Sequence, residues 1–513
     1  MRCPVRCPAP LLPGNGQYCE KIRVYTRTTL EDVAMAQTAQ IKEFPAQVET
    51  EAERIMNAQR QAYLRNPYPD LGERRDNLLK LEQLLVENQD AITDAISRDF
   101  GNRAAQESKL LELFLSVDGF RYCRKRLKKW MKPQSREVSV WFAGARNRVI
   151  AQPKGVVGIV APWNYPLFLV MGPLASAMAA GNRCMVKMAA NSSNLCQLLH
   201  KLISEQFNED TLAILPGVRG SEFSKLPFDH LIFTGSADTG RTVMKAAAEN
   251  LTPVTLELGG KSPTIIGRDF DVDLAASRIL FTKYMNAGQT CVAPDYLFVP
   301  AGQVEAFVEA ARAVVAKRYP DIANGQYTSI IDESSYARLV ETLADAEAKG
   351  AKLVNLATGP MPDKATRLIP PHLVLDPGDD TIVMRDEIFG PILPVRTYKS
   401  LDEVIEYINR HDRPLGLYLF SNDRDVQQRV IKNTLSGGVS INDCSFHVAQ
   451  HDMPFGGIGA SGMGHYHGHE GFVEFSKMRP IFSQFRYTAL PLLYPPYGKV
   501  FDRIYALMIK LRL

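Results

Sequence analysis

A chain of 513 residues, 45% hydrophobic and 23% charged, is too long for one ordinary core and predicts two or three domains. Its net charge of +4 is small for that length, so no global field points to a nucleic acid, and no run of 18 apolar residues is available to span a bilayer. Eight cysteines without a CxxC pair fit neither a dense disulfide framework nor a paired metal site, and suit a reducing, cytoplasmic setting.

Residues 1–50 carry Cys3, Cys7 and Cys19 among Pro4, Pro8, Pro10 and Pro13. They lack the continuous apolar core of a secretory signal and are expected to form a disordered leader, the product of an over-extended gene start. Over 51–100, Leu78, Leu79, Leu81, Leu84 and Leu85 recur at the period of one apolar helix face. A second long helix is predicted from 104 to about 131. Its end carries Arg121, Arg124, Lys125, Arg126, Lys128, Lys129 and Lys132, spread around the helix beside no nucleic-acid module, which reads as a solvated face.

Short strands are expected between 137 and 160. From residue 156, strands at 156–160, 183–187, 212–215, 230–234 and 254–257 alternate with helices at 167–180, 192–207 and 237–248, the last strand closing the run. That order predicts an α/β fold with a doubly wound parallel sheet, whose ligands bind beyond the carboxyl ends of its strands. A second α/β segment, about 258–436, repeats the alternation around 296–299 and 304–316. The expected division is a first domain from 51–132 and 154–256, a second over 257–437, a strand-rich remainder from 133–153 and 438–485, and an apolar tail over 486–513.

Three residues invite chemistry. Cys291 lies in NAGQTCV at 286–292, where small and polar residues leave its sulfur reachable after a helix expected to break at Gly288. Its thiolate would require a nearby donor, helix terminus or base to lower the thiol pKa. Glu257 ends a strand in ELGGK at 257–261, where partial burial would make its carboxylate a general base. Asn164, in the stiff PWNYP turn at 162–166, can aim an amide N–H at an oxyanion.

Among glycine motifs, GIGASG at 457–462 matches a dinucleotide fingerprint but stands in no βαβ unit, and Met463 spoils the nucleophile elbow that begins at Gly459. Gly235 and Ser236, where a strand enters a helix, are better placed to open a helix N-terminus toward a pyrophosphate. His465, His467 and His469 alternate like metal ligands on a strand, but the surrounding glycines predict a loop and no metal.

Together PWNYP at 162–166, FTGS at 233–236, ELGGK at 257–261, QTC at 289–291, EIFGP at 387–391 and PFGG at 454–457 resemble the aldehyde dehydrogenase superfamily, over about residues 52–485. NAGQTCVAPDY at 286–296 and SGMGHYHG at 461–468 look like its class 3 branch, and HVAQ at 447–450 with HYHGHE at 465–470 look most like the coniferyl aldehyde dehydrogenases within it. The resemblance implies that Cys291 attacks an aldehyde, that Asn164 and the Cys291 backbone N–H hold the oxyanion, and that hydride leaves for the nicotinamide. Glu257 then activates the water that hydrolyses the thioester to the acid. It further implies that Glu387 binds the nicotinamide ribose, that Phe389 packs near the ring, that Lys187 reaches the adenine ribose, and that Tyr165 lines an aldehyde tunnel.

One departure bears on the cofactor. The family's Lys-Pro-Ser-Glu segment reads KMAA at 187–190, so a ribose-binding carboxylate is missing and NADP is expected to be tolerated beside NAD. Relatives of this branch are commonly dimers bridged by strand-rich arms, here 133–153 and 438–485. In the tail, Val500, Phe501, Ile504, Tyr505, Met508 and Leu511 recur at helical spacing, which suits packing against its own or a partner subunit, or contact with a membrane surface. A coenzyme A acylating enzyme is the alternative, and a catalytically silent scaffold a more distant one; a water-activating Glu257 argues against the first, and the three residues together against the second.

Overall fold

The structure, a computed structural model, describes residues 49–357 and 363–511. The leader expected over 1–50 lies outside them but for its last two residues. From Glu51 onward the chain is one compact unit.

In chain order the strands are β1 (Gln134–Arg136), β2 (Arg146–Pro153), β3 (Val156–Ala161), β4 (Arg183–Met188), β5 (Leu212–Ile214), β6 (His230–Gly235), β7 (Val254–Leu258) and β8 (Ser262–Ile266). They continue with β9 (Pro294–Pro300), β10 (Lys352–Asn355), β11 (His372–Leu375), β12 (Ile392–Tyr398), β13 (Gly416–Phe420), β14 (Gly438–Ile441), β15 (Gly462–Met463) and β16 (Ser476–Ser483). They form a six-stranded sheet in the order β15-β7-β6-β3-β4-β5, a seven-stranded sheet in the order β10-β11-β12-β9-β8-β13-β14, and a three-stranded sheet β1-β2-β16.

β3 reads Val-Val-Gly-Ile-Val-Ala and is buried along its whole length, as a central parallel strand must be. Its two faces feed different cores. Val157, Ile159 and Ala161 pack with the helices Leu71–Glu87, Leu115–Trp130 and Phe168–Ala180, whereas Val156 and Val160 pack with Val243 and Ala247 of helix Ala237–Ala248. Helices on both faces make this the doubly wound α/β sheet that the alternation predicts. β7 does not close it. Gly462 pairs antiparallel with Glu257 and Met463 with Leu256, adding a sixth strand too short to be read from periodicity.

The glycines of the discounted fingerprint account for that pairing. A Cβ at Gly462 would strike the Leu256 carbonyl and one at Gly457 the Ser461 carbonyl, so the two backbones approach only because both positions lack a side chain. A strand follows the motif rather than a helix, which leaves no helix N-terminus for a phosphate.

The helix expected over 104–131 is three pieces, α-helical at Ala105–Ser108, π-helical at Lys109–Phe114 and α-helical at Leu115–Trp130. On its last piece Arg121 and Arg124 both bond Glu82, at 2.7 and 2.8 Å, and Lys125, Arg126, Lys128 and Lys129 are exposed opposite buried Cys123, Leu127 and Trp130. The helix expected to break at Gly288 ends earlier, at Tyr284. Asn286, Ala287 and Gly288 then adopt left-handed backbone with φ of 52°, 49° and 75°, and a Cβ at Gly288 would overlap the Gly390 carbonyl.

His467 is buried at the start of helix Gly468–Glu474 while His465 is exposed, so the alternating histidines share no centre, and no group of three metal-ligating side chains converges among the described residues. The tail forms helix Lys499–Lys510, set against the turn Leu490–Leu493, and none of its side chains is buried. Phe501, Ile504 and Met508 are half-buried, whereas Val500, Tyr505, Leu507 and Ile509 are each more than half exposed. No described helix is long and apolar enough to cross a membrane.

Candidate active site

Beyond the carboxyl ends of β3, β6 and β7 lies a cavity of about 300 Å3 whose wall includes Asn164, Gly235, Ser236, Glu257, Cys291, Glu387 and Phe389. A second cavity of about 270 Å3 continues from it across Ser236, Gly259 and Glu387. Lys187 and Tyr165 are not on the first wall. Lys187 stands near the end of β4, its amine drawn down by burial and acted on by no carboxylate. Tyr165 is buried with Phe168 and Leu169, and its hydroxyl meets Thr290 Oγ1 at 2.7 Å.

Cys291 sits on a loop that its neighbours hold by side-chain to main-chain bonds. Gln289 Nε2 donates to the Asn286 and Ser329 carbonyls at 3.0 and 3.1 Å, and Gln289 Oε1 accepts from Ile331 N at 2.9 Å. Asn286 Nδ2 donates to the Asn164 carbonyl at 2.9 Å, and the Val292 carbonyl accepts from Tyr418 Oη and Ser445 Oγ at 2.6 and 2.7 Å. The nucleophile loop and the PWNYP turn are thus stitched together. Asn164 Nδ2 donates one of its two N–H groups to the Gln289 carbonyl at 3.2 Å.

The electrostatics differ from what a reactive cysteine leads one to expect. Burial pushes the Cys291 thiol up to about 12, the Glu387 and Glu257 carboxylates push the same way, and only the backbone N–H groups of Cys291 and Val292 oppose them. The surroundings therefore favour the protonated thiol. Glu257 lies on the same cavity wall. Its side chain is 2% exposed, neither carboxylate oxygen has a partner, and burial, aided by the Glu474 charge, holds its pKa well above the ordinary carboxylate range.

Glu387 is raised to about 7 by burial and by Asp295, against a bond from the Gly260 backbone N–H. Its carboxylate lies over Gly259, where a Cβ would collide with it. Lys261 is bonded to Asp295 and to the Val383 and Asp386 carbonyls, at 2.9 and 2.8 Å for the carbonyls, which anchors the segment carrying Glu387. Phe389 has a left-handed φ of 48° and stands edge-on to Trp163 with ring centres 5.4 Å apart. Ser236 caps helix Ala237–Ala248, its Oγ accepting from Thr239 N at 3.4 Å, so the first N–H groups of that helix face the cavity from the end of β6.

Sequence reasoning missed the support beneath Asn164. Arg103 and Glu112 are both fully buried and joined at 2.6 Å, and Glu112 Oε2 also accepts from Leu167 N and Phe168 N at 2.7 and 3.2 Å. Arg103 donates to the Asn164 carbonyl at 3.3 Å and lies 4.9 Å from the centre of the Tyr165 ring. A signal was available: Glu112 stands in the apolar stripe that Ser116, Phe120, Cys123, Leu127 and Trp130 continue, where a carboxylate requires a partner.

The family model for the aldehyde dehydrogenase family matches residues 24–481 of the chain. A "Probable coniferyl aldehyde dehydrogenase" of Pseudomonas aeruginosa is 50% identical over 89% of this chain and 96% of its own length. The "Coniferyl aldehyde dehydrogenase" of a Pseudomonas species is 42% identical over 84% of this chain and 90% of its own. Among solved structures, the substrate-bound AldH of Staphylococcus aureus superposes with a TM-score of 0.84 at 35% identity, covering 90% of this chain and all of that one.

Proposed function

The chain belongs to the aldehyde dehydrogenase family and oxidises an aldehyde to its carboxylic acid with reduction of NAD(P), and from that premise we propose that its substrates are aromatic aldehydes of the coniferyl type. The observation that carries this reading is the apolar lining of the cavity around Cys291, where Trp163, Leu169, Leu415 and Phe455 stand on one wall with it. Such a surface favours a flat ring over a charged chain. The names of the two Pseudomonas relatives point the same way.

In this reading the Cys291 thiol passes its proton to water in the cavity as the sulfur adds to the carbonyl carbon. Asn164 Nδ2 and the Cys291 backbone N–H hold the oxygen as it becomes negative. Bound NAD(P) supplies the hydride acceptor, and a thioester remains on Cys291. Glu257 then takes a proton from water, the hydroxide adds to the thioester carbon, and the carbon–sulfur bond breaks to release the acid. NADH formation at 340 nm with coniferyl aldehyde, benzaldehyde and hexanal tests the substrate class. Coniferyl aldehyde is expected to lead in kcat/KM, and preference for hexanal would discard the aromatic reading.

The residues present fit a dinucleotide. The first N–H groups after Ser236 suit its phosphates, Glu387 its ribose hydroxyls, Phe389 its ring, and Lys187 the second ribose. Without a carboxylate at Lys187, NADP is accepted beside NAD. An NADP kcat/KM within about a hundredfold of that for NAD is expected, since a charge-assisted bond contributes roughly one to two decades. A deficit of thousands would remove this reading.

The enzyme is further read as a cytoplasmic homodimer joined through the β1-β2-β16 sheet, with the amphipathic helix Lys499–Lys510 in contact with an anionic membrane surface or the partner subunit. Sedimentation of the full chain and of a 1–486 chain, alone and with anionic vesicles, examines both points. A monomer would discard the dimer, and equal vesicle binding by the two chains would discard the membrane contact.

A further inference from the structure

We propose that Tyr466 is a positioning residue for thioester hydrolysis, its hydroxyl donating a hydrogen bond to the Glu257 carboxylate so that the base faces the carbon held on Cys291. The inference rests on the roles just given to Cys291 and Glu257.

Tyr466 lies between β15 and helix Gly468–Glu474, four residues beyond Gly462, which stands opposite Glu257 in the β15–β7 pairing. Its main chain is clamped to Phe455, each backbone N–H donating to the other's carbonyl at 2.8 Å. Its ring is fully buried, edge-on to Phe455 and His467 at 5.7 and 4.5 Å between ring centres, and close over Gly172, where an added Cβ would lie 3.2 Å from it. Phe455 lines the same cavity as Glu257 and Cys291.

The hydroxyl at the end of this fixed ring has no hydrogen-bond partner within the chain. The same is true of both oxygens of Glu257. The β15–β7 register brings a buried donor without a partner and a buried acceptor without a partner to the same end of the sheet, and the bond between them is the contact that closes when the acyl group is in place. Glu257 and Cys291 both lie near enough to raise the Tyr466 phenol. Packing alone does not call for the hydroxyl, because phenylalanine would fill the ring site without burying an unpaired polar group.

The charged and titratable groups facing Glu257 are Glu474 from helix Gly468–Glu474, Cys291 from the loop before β9, and Tyr466 itself. Glu474 and burial favour the protonated, inactive base; a phenol donor favours the carboxylate and fixes one oxygen, leaving the other for water. The phenol keeps its proton throughout.

Stopped-flow NADH formation compares the wild type, Tyr466→Phe and Glu257→Gln with saturating NAD and coniferyl aldehyde. Tyr466→Phe is expected to leave kcat/KM, which reports acylation, within about threefold and to lower kcat by about 10–100-fold, the effect of removing one bond to a charged acceptor. A burst of one NADH per chain should precede the slow phase, and the acid limb of the kcat profile should move to higher pH, because the lost donor no longer favours the carboxylate. Unchanged kcat and limb overturn the proposal, as does a fall in kcat/KM with an unmoved limb, which would mark a packing role. Glu257→Gln is expected to give the burst with no slow phase. If it instead turns over like the wild type, the assignment of Glu257 fails, and the role of Tyr466 falls with it.

Discussion

Cys291→Ala is expected to abolish NADH formation with every aldehyde, a loss of at least about four orders of magnitude in kcat. Among the described residues of the cavity wall Cys291 carries the one thiol, a far stronger nucleophile than the hydroxyls of Thr234 and Ser236 or the carboxylates of Glu257, Asp386 and Glu387. The substitution leaves the fold in place, because the loop is held by Gln289, Asn286, Tyr418 and Ser445 through main-chain atoms and not by the sulfur. Melting behaviour and NAD binding, followed by intrinsic fluorescence, should match the wild type. A variant that still turns over would place the nucleophile elsewhere and undo the assignment of the site.

Arg103→Ala carries the largest expected effect on stability. It strands Glu112, fully buried, with two backbone donors in place of a cation, and breaking such a pair costs about 3–5 kcal/mol. Its guanidinium also lies against Tyr165 and bonds the Asn164 carbonyl, so kcat/KM should fall with the melting temperature. Paired replacement with Arg103→Met and Glu112→Leu should recover most of the thermal loss without restoring kcat/KM, since an apolar pair fills the volume but leaves the Asn164 turn without its donor. Thermal scans and steady-state rates on the three variants decide it; an Arg103→Ala protein that melts like the wild type would mean that the buried pair contributes nothing.

The elements legible in the sequence are those built on continuous apolar runs. β3, β4, β6 and β7 are buried strands between glycine and proline signals, so their positions emerge to within a residue, and the doubly wound arrangement emerges with them. Three features could not be read. The left-handed run takes in Ala287, which has no preference for it, beside Asn286, which tolerates it, and is held by Glu107 on the Asn286 N–H and by the close Gly390 carbonyl, both distant in sequence. The π-turn at Lys109–Phe114 accompanies a buried carboxylate whose partner lies outside the helix. β15 is two residues long and has no period to detect. For the site, local context could nominate Cys291, Glu257 and Asn164 by chemistry. Glu387, Phe389 and Lys187 came only from resemblance, because an acid, an aromatic and a lysine in ordinary surroundings carry no local mark of a ligand.

The late arrival of β15 also governs how the chain can be made. β3 to β7 leave the ribosome before the seven-stranded sheet has begun, yet the outer edge of β7, with its free N–H and C=O groups, stays uncovered until Gly462 and Met463 emerge. Throughout that interval the nascent chain presents an open edge next to Glu257, a template for pairing with other strands. Translation that stalls before β15, or proteolysis that removes β15 with the C-terminal segment, leaves a species prone to aggregate and not merely an inactive one. Quality control during synthesis therefore bears most heavily on the last stretch of the chain.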